Sequence, residues 1–174
     1  MNFKKFKIII LLCCFNAVFA DQNTNKITVE WINSEEAKAV AQVYRYQWVE
    51  DNTAILYDLR LLREDRTFLM LDPERPEEIL PIIDVDKALK SLEESLDEPD
   101  TVRTLDWPIS FDNAGQKALY LFKKDIFILE LKSSSFLQIT HTKTKEKSPR
   151  FSPDGSKIAF VRDNDLYVYD LNKK

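Results

Sequence analysis

The chain of 174 residues contains only two glycines and one histidine, and its two cysteines both lie within the first 14 residues. With glycine only at Gly115 and Gly155, it holds no phosphate-binding loop, no dinucleotide fingerprint and no Gly-x-Ser-x-Gly nucleophile elbow. Beyond Cys13 and Cys14 the chain can form no disulfide and supplies no cysteine ligand or nucleophile. These shortages exclude most common catalytic and cofactor-binding classes.

The N-terminus is typical of a cleaved export signal. Lysines at positions 4, 5 and 7 precede an apolar run from Ile8 to Phe15, and Val18-Phe19-Ala20 places small residues where a signal peptidase reads. We predict a signal peptide over residues 1–20, cleaved after Ala20, and export to the periplasm or the medium. The alternatives are an uncleaved anchor, for which the run is short, and a lipoprotein, for which Leu12 before Cys13 is not the usual small residue.

The charge of the chain argues against two classes of partner. The net charge is −4, and loss of the three lysines of the signal peptide changes it to −7. An acidic chain without a basic cluster indicates no nucleic acid partner and, after signal cleavage, no membrane partner. We interpret the densest basic run, Lys143 to Lys147, as a solvated loop between two repeats.

A repeat of 40 residues is the most informative pattern. Phe111 to Leu131 aligns without a gap with Phe151 to Leu171, and each copy has a glycine turn, a short apolar strand, a hairpin turn and a second strand. A period near 40 with strands and turns is typical of β-propeller blades, small antiparallel sheets that bury their faces only against one another. A weaker third copy, without the glycine, starts at Trp48 and runs to Asp72.

These patterns predict an all-β fold with inserted helices. Residues 44–174 are expected to form an incomplete β-propeller of about two to three blades, each a four-stranded antiparallel sheet. An N-terminal segment over residues 21–43 separates the sheets from the signal peptide.

Two helices are predicted outside the strands. Ser34 is a candidate cap for a short helix, whose apolar face would comprise Ala37, Val40, Ala41 and Tyr44. A second, amphipathic helix is predicted from Val85 to Asp97, with Asp84 or Asp86 at its N-terminus. We interpret this inserted helix as a cover for part of the sheets, and a docking site for a partner is the alternative.

Few residues are candidates for chemistry. His141 would need carboxylate ligands to bind a metal, or a nucleophile and an orienting group to act as a base. We interpret it as a surface-loop histidine and the nearby Ser133-Ser134-Ser135 as a turn. We interpret the carboxylates of Glu93 with Glu94, Asp97 with Glu98, and Asp163 with Asp165 as solvated groups on a helix surface or in hairpin turns rather than as acid–base pairs.

The three tryptophans are the remaining candidates for a functional role. We interpret Trp31, Trp48 and Trp107 as core or inter-sheet residues rather than a ligand platform. We therefore predict no catalytic, metal-binding or cofactor-binding residue and no cofactor.

The sequence from Lys147 to Leu171 resembles the N-terminal propeller region of bacterial dipeptidyl peptidase IV-like enzymes, in the prolyl oligopeptidase group of serine peptidases. The resemblance rests on the turn Ser152-Pro153-Asp154-Gly155 followed by Phe160-Val161-Arg162-Asp163-Asn164-Asp165-Leu166-Tyr167-Val168. The upstream order is similar, with a helix opening at Asp84 between two strand units, so the resemblance covers most of residues 40–174. The Ser-Pro-Asp-Gly turn by itself occurs in many propellers, including TolB-like ones.

The resemblance implies a larger parent enzyme. In that family the propeller joins a C-terminal α/β-hydrolase domain with a Ser-Asp-His triad, and two glutamates later in the propeller bind the free N-terminus of the substrate. No residue here matches the triad or that pair, since Glu93 and Glu94 lie in the inserted helix.

Three functions follow as hypotheses. The first is a non-catalytic N-terminal fragment of an exported peptidase, from a truncated or split reading frame, which would restrict substrate entry in the intact enzyme. Its partners would be the missing blades and the hydrolase domain. The second is a stand-alone exported, TolB-like protein-binding module. The third, a self-contained enzyme of another class, has no nucleophile, metal or cofactor signal to support it.

Overall fold

The computed structural model describes residues 27–37, 43–96 and 102–173, and the predicted signal peptide lies outside the described residues. Its strands form three antiparallel sheets, which follow one another along the chain. The first sheet contains β1 (Tyr44–Trp48), β2 (Ala54–Asp58), β3 (Phe68–Leu71) and β4 (Leu80–Pro81). The second contains β5 (Ser110–Phe111), β6 (Lys117–Phe122), β7 (Asp125–Glu130) and β8 (Ser135–Gln138). The third contains β9 (Lys147–Phe151), β10 (Lys157–Arg162) and β11 (Asp165–Asp170).

In each sheet, strands that are consecutive in sequence are neighbours. The described chain is therefore mostly β, as predicted, but one of its three sheets has three strands rather than four, and the sheets do not close into a ring.

The repeated turn has the same geometry in the second and third sheets. Gly115 has φ +63° and Gly155 has φ +66°, a conformation that a Cβ atom disfavours. Each glycine N–H donates to the carbonyl three residues earlier, at 3.0 Å to Asp112 and 2.9 Å to Ser152. In the weaker first copy, positive φ falls instead on Asp51 and Asn52, residue types that tolerate it.

These turns also connect each sheet to the next. The Glu50 N–H donates to the Asn113 carbonyl at 2.8 Å, and the Asn113 side-chain amide donates to the Pro153 carbonyl at 2.7 Å. Asn113 and Pro153 are equivalent positions in the 40-residue alignment. The same main-chain carbonyl therefore accepts a hydrogen bond from the preceding sheet in both copies.

The second sheet is buried on both faces. Successive side chains of a strand point to opposite faces, and β7 shows this clearly. Phe127 and Leu129 pack toward the first sheet, while Ile126 and Ile128 pack against Ile158 of the third sheet. Two hydrophobic cores therefore hold the three sheets in series.

Helix α1 (Val29–Ile32) precedes the sheets, and helix α2 (Val85–Glu94) is inserted between the first and second sheets. Asp84 caps α2 by accepting from the Lys87 N–H at 3.0 Å. The buried side chains of α2 are Ala88, Leu89 and Leu92. As predicted, α2 covers part of a sheet, but it ends at Glu94 rather than Asp97.

The predicted short helix is only partly described. The Ser34 hydroxyl accepts from the Ala37 N–H at 3.1 Å, which confirms Ser34 as a cap. Val40 and Ala41 lie outside the described residues, and Tyr44 begins β1 instead of extending the helix. Among the described residues, no helix has the length and apolar character needed to cross a membrane.

Candidate functional site

The predicted surface histidine is confirmed. His141 is exposed in the loop after β8, and its Nδ1 lies 3.4 Å from the Gln138 side-chain nitrogen. The serine run forms the turn between β7 and β8, as expected. The hydroxyls of Ser133 and Ser135 hydrogen-bond each other at 2.6 Å, and the Ser134 hydroxyl accepts from the Asp84 N–H at 2.9 Å. These serines therefore fix the turn and anchor the start of α2.

Two of the three carboxylate pairs lie where they were predicted. Glu93 and Glu94 are exposed on α2, and Asp163 and Asp165 are exposed at the hairpin between β10 and β11. Asp97 and Glu98 lie outside the described residues. Across the described ranges, no cluster of three or more His, Cys, Asp or Glu side chains is arranged to hold a metal ion.

The tryptophans differ from one another. Trp107 packs into the first core, with ring centroids 5.2 Å from Phe111 and 6.0 Å from Phe68. Trp48 is 58% exposed on β1, so the prediction of a core or inter-sheet position is wrong for this residue. Trp31, in α1, is partly exposed. Of these three tryptophans, Trp107 is the one that packs against the first hydrophobic core.

The burial of one acidic side chain was not predicted from the sequence. The basic run forms the loop between the second and third sheets, and Lys143 and Lys145 are exposed as expected. Glu146 within it is fully buried. Its Oε1 accepts from the Thr142 hydroxyl at 2.9 Å and lies 3.6 Å from the Arg162 guanidinium. This carboxylate therefore ties the connecting loop to β10.

Three groups have perturbed pKa values with clear causes. The two-pronged hydrogen bond from Arg60 lowers the pKa of Asp58 to about 2. Burial raises the pKa of Tyr120 well above its usual value, and its hydroxyl donates to the Asp106 carbonyl at 2.8 Å. The Ser152 hydroxyl lowers the pKa of Asp154. All three side chains form hydrogen bonds that hold local structure together.

The third sheet has exposed apolar side chains on the face directed away from the second sheet. Leu166 is 72% exposed and Val168 is 60% exposed. Their equivalents in the second sheet, Ile126 and Ile128, are 0% and 2% exposed because the third sheet covers them. The third sheet therefore presents, uncovered, the kind of surface that forms a core elsewhere in the chain.

The backbone groups on the outer side of β7 and of β11 also differ in whether they are hydrogen-bonded. In the second sheet, the Ile126 N–H donates to the Thr140 hydroxyl, and its carbonyl accepts from the Ile139 N–H, both at 2.8 Å. No strand within the described ranges pairs with the corresponding edge of β11. Among the described residues, β11 therefore combines an edge without a partner strand with an exposed apolar face.

Comparison with known proteins confirms the resemblance predicted from the sequence. Residues 108–174 match the sequence model of the dipeptidyl peptidase IV (DPP IV) N-terminal region. Among solved structures, 21 chains match. One is the crystal structure of Porphyromonas gingivalis dipeptidyl peptidase 4, with a TM-score of 0.52 and 13% identity over 76% of this chain.

That match covers 18% of the Porphyromonas chain, so the protein described here spans only a small part of that relative. At this identity the likeness shows the fold alone. A search of curated proteins found no match.

Proposed function

We propose that this chain is the N-terminal propeller portion of an exported dipeptidyl peptidase IV-like serine peptidase. It would contribute no catalytic group and would act in the intact enzyme as a scaffold that restricts entry to short peptides. The observation that carries the proposal is the match of residues 108–174, which contain the second and third sheets, to the DPP IV N-terminal region.

The packing of the sheets supports this assignment. Each sheet presents one face to the next, and the two inter-sheet cores recur in series along the chain. Propeller blades pack in this way around a central channel. In the proposed parent, a following blade would cover Leu166 and Val168, and the closed ring would separate the active site from folded proteins.

Export is part of the proposal. The lysines and the apolar run of residues 1–20 support a signal peptide cleaved after Ala20. Expression in a bacterial host followed by cell fractionation and intact mass measurement tests this. The expected product is exported and begins at Asp21. A chain that keeps its first 20 residues in the cytoplasm would contradict export.

An activity assay tests the non-catalytic role. The purified chain is incubated with a dipeptide amide that carries proline in its second position. We expect no turnover above the buffer control. Hydrolysis that persists after contaminating peptidases have been removed would contradict the proposal, because the proposal assigns no catalytic group to this chain.

The genomic context separates the proposal from the alternative of a stand-alone TolB-like binding module. If the chain is a fragment of a peptidase, the adjacent DNA should encode further blade repeats and a Gly-x-Ser-x-Gly motif. An unrelated gene directly downstream would favour the binding module.

A further inference from the structure

We propose that the loop between the second and third sheets binds a calcium ion through the buried carboxylate of Glu146. The other protein ligands would be the Thr142 hydroxyl and the Thr144 main-chain carbonyl. A site of this composition has a single carboxylate ligand, so it is compatible with the finding that the described ranges hold no cluster of three or more His, Cys, Asp or Glu side chains suited to a metal. The inference concerns this loop alone and does not depend on the proposed peptidase parent.

The first argument is a buried carboxylate oxygen without a partner. Glu146 is 0% exposed, and its Oε2 accepts no hydrogen bond from any described residue. A buried charge is costly unless it is paired and hydrogen-bonded. The Arg162 guanidinium lies 3.6 Å from the other oxygen, Oε1, and that distance is too long for a hydrogen bond. A cation bound at Oε2 would supply the contact that this oxygen lacks.

The second argument is that oxygen atoms outnumber protons around this carboxylate. The Thr142 hydroxyl lies 2.9 Å from Glu146 Oε1 and 2.7 Å from the Thr144 carbonyl oxygen. A hydroxyl carries one proton, so it can donate fully to only one of these two acceptors. Oε2 shares its carbon with Oε1 and therefore belongs to the same group of oxygens. Such a group, with one carboxylate, one hydroxyl and one carbonyl, has the hard oxygen ligands that calcium prefers.

The third argument is the spacing of these oxygens. Calcium–oxygen distances in proteins are about 2.3–2.6 Å. Two oxygens that lie 2.7 or 2.9 Å apart, as they do around Thr142, would subtend roughly 70° at an ion at that distance, which is the angle between neighbouring equatorial ligands of a pentagonal bipyramid. The main-chain carbonyl favours calcium over magnesium, because magnesium binds chiefly carboxylates and keeps several of its waters. On binding, the Thr142 hydroxyl would turn its proton away from the ion.

The charges around the loop set the expected affinity. The Asp125 carboxylate, 7% exposed, accepts from the Thr142 N–H at 3.0 Å and adds a second negative charge beside the same residue. Arg162 offsets one of the two charges, while Lys143 and Lys145 are exposed and their charges are screened by solvent. Because the surplus is a single negative charge, we expect weak binding, with a Kd on the order of 10⁻⁴–10⁻³ M.

Calorimetric titration of the purified full chain with calcium chloride, after dialysis against EDTA and at constant ionic strength, tests the inference. Wild type is expected to bind one calcium ion through this loop. Glu146→Gln keeps the shape of the side chain but removes its charge, and we expect it to weaken binding by about 10-fold or more. Thr142→Val removes the hydroxyl ligand and should weaken binding roughly 5-fold. Circular dichroism establishes that each variant is folded, and Thr142→Val serves if Glu146→Gln is not.

The matched control is Glu130→Gln, the same change at an exposed glutamate that ends β7. This variant should bind calcium as wild type does, which separates the loop from the acidic surface in general. Arg162→Gln removes the competing positive charge and should strengthen binding about 10-fold. If Glu146 and Arg162 only form an ion pair, Arg162→Gln should instead destabilise the chain without producing calcium binding.

Cleavage by a lysine-specific endopeptidase reports on the loop itself. Calcium should slow cleavage after Lys143 and Lys145 in wild type and leave the rate unchanged in Glu146→Gln. A wild type that binds no calcium, one that binds magnesium or sodium equally well, or calcium binding insensitive to both Glu146→Gln and Thr142→Val would overturn the inference. None of these results bears on the proposed peptidase parent.

Discussion

The second and third sheets share one sequence pattern and differ in what surrounds them. Both have the glycine turn and the same strand register, with Phe111 opposite Ala118 and Phe151 opposite Ile158. Yet Ile126 is fully buried while its equivalent Leu166 is 72% exposed. The comparison teaches that the repeat specifies two apolar faces in every copy, and that the neighbouring sheets determine whether each face becomes a core.

Truncation of the equivalent residues should give the largest difference. Ile126→Ala removes a fully buried side chain and leaves a cavity, so we expect a loss of about 3 kcal/mol in the free energy of unfolding. Leu166→Ala should change it by less than about 0.5 kcal/mol. Urea unfolding at a protein concentration where the chain is monomeric measures both. Equal losses would show that the face around Leu166 is covered in the monomer.

The two glycines should give an intermediate difference. Alanine is strained by the positive φ at either position, which costs about 1 kcal/mol. At Gly115 the new Cβ would also lie 3.0 Å from both methyl groups of Val49, the residue that follows β1, whereas at Gly155 its nearest neighbour, Asp112, lies at 3.5 Å. We therefore expect Gly115→Ala to destabilise by about 2–3 kcal/mol and Gly155→Ala by about 1 kcal/mol.

A double-mutant cycle with Val49→Ala tests the cause of this difference. The truncated valine should relieve part of the cost of Gly115→Ala and none of the cost of Gly155→Ala. If the costs of Gly115→Ala and Val49→Ala simply add, crowding between the first and second sheets is not the source of the difference.

The smallest effect should come from acid acting on the turn of the third sheet. The Asp154 carboxylate accepts from the Ser152 hydroxyl and from the Ser156 N–H. Its pKa is lowered, chiefly by the Ser152 hydroxyl. The stabilisation is therefore present above the unfolded pKa of about 3.9 and is lost as pH falls through the lower folded value.

An NMR titration of the Asp154 carboxyl and the Ser156 amide should therefore give a shared midpoint below about 3.9. In Asp154→Asn the response of the Ser156 amide should disappear. A midpoint at or above 3.9 would contradict the hydrogen-bonded turn.

Features set by local sequence were predictable. The turn at Ser152 to Gly155 follows from proline, aspartate and glycine chemistry, and the short apolar run of β7 is typical of a strand. The helix at Val85 was predicted from its apolar spacing, but its end was placed too late because Leu96 continues that spacing beyond the last helical residue, Glu94.

Features set by tertiary contacts were not predictable. Glu146 lies among lysines in the sequence, and its burial depends on Thr142 and on Arg162, which is far along the chain. Trp48 is of a residue type that is usually found in cores, but it lies on β1 with most of its side chain exposed. The exposure of Leu166 on β11 could not be predicted either, because Leu166 and Ile126 occupy the same position of the repeat and are equally apolar.

The hydrogen bonds between consecutive turns have a consequence for how far the copies can diverge in sequence. The acceptor in each case is a main-chain carbonyl, that of Asn113 or of Pro153, and every amino acid provides one. Substitution at this position leaves the acceptor intact, but at Asn113 it can also remove a donor, because the Asn113 side-chain amide donates to the Pro153 carbonyl. The link between the first and second sheets uses main-chain groups on both sides and tolerates sequence change, whereas the link between the second and third sheets depends on the asparagine.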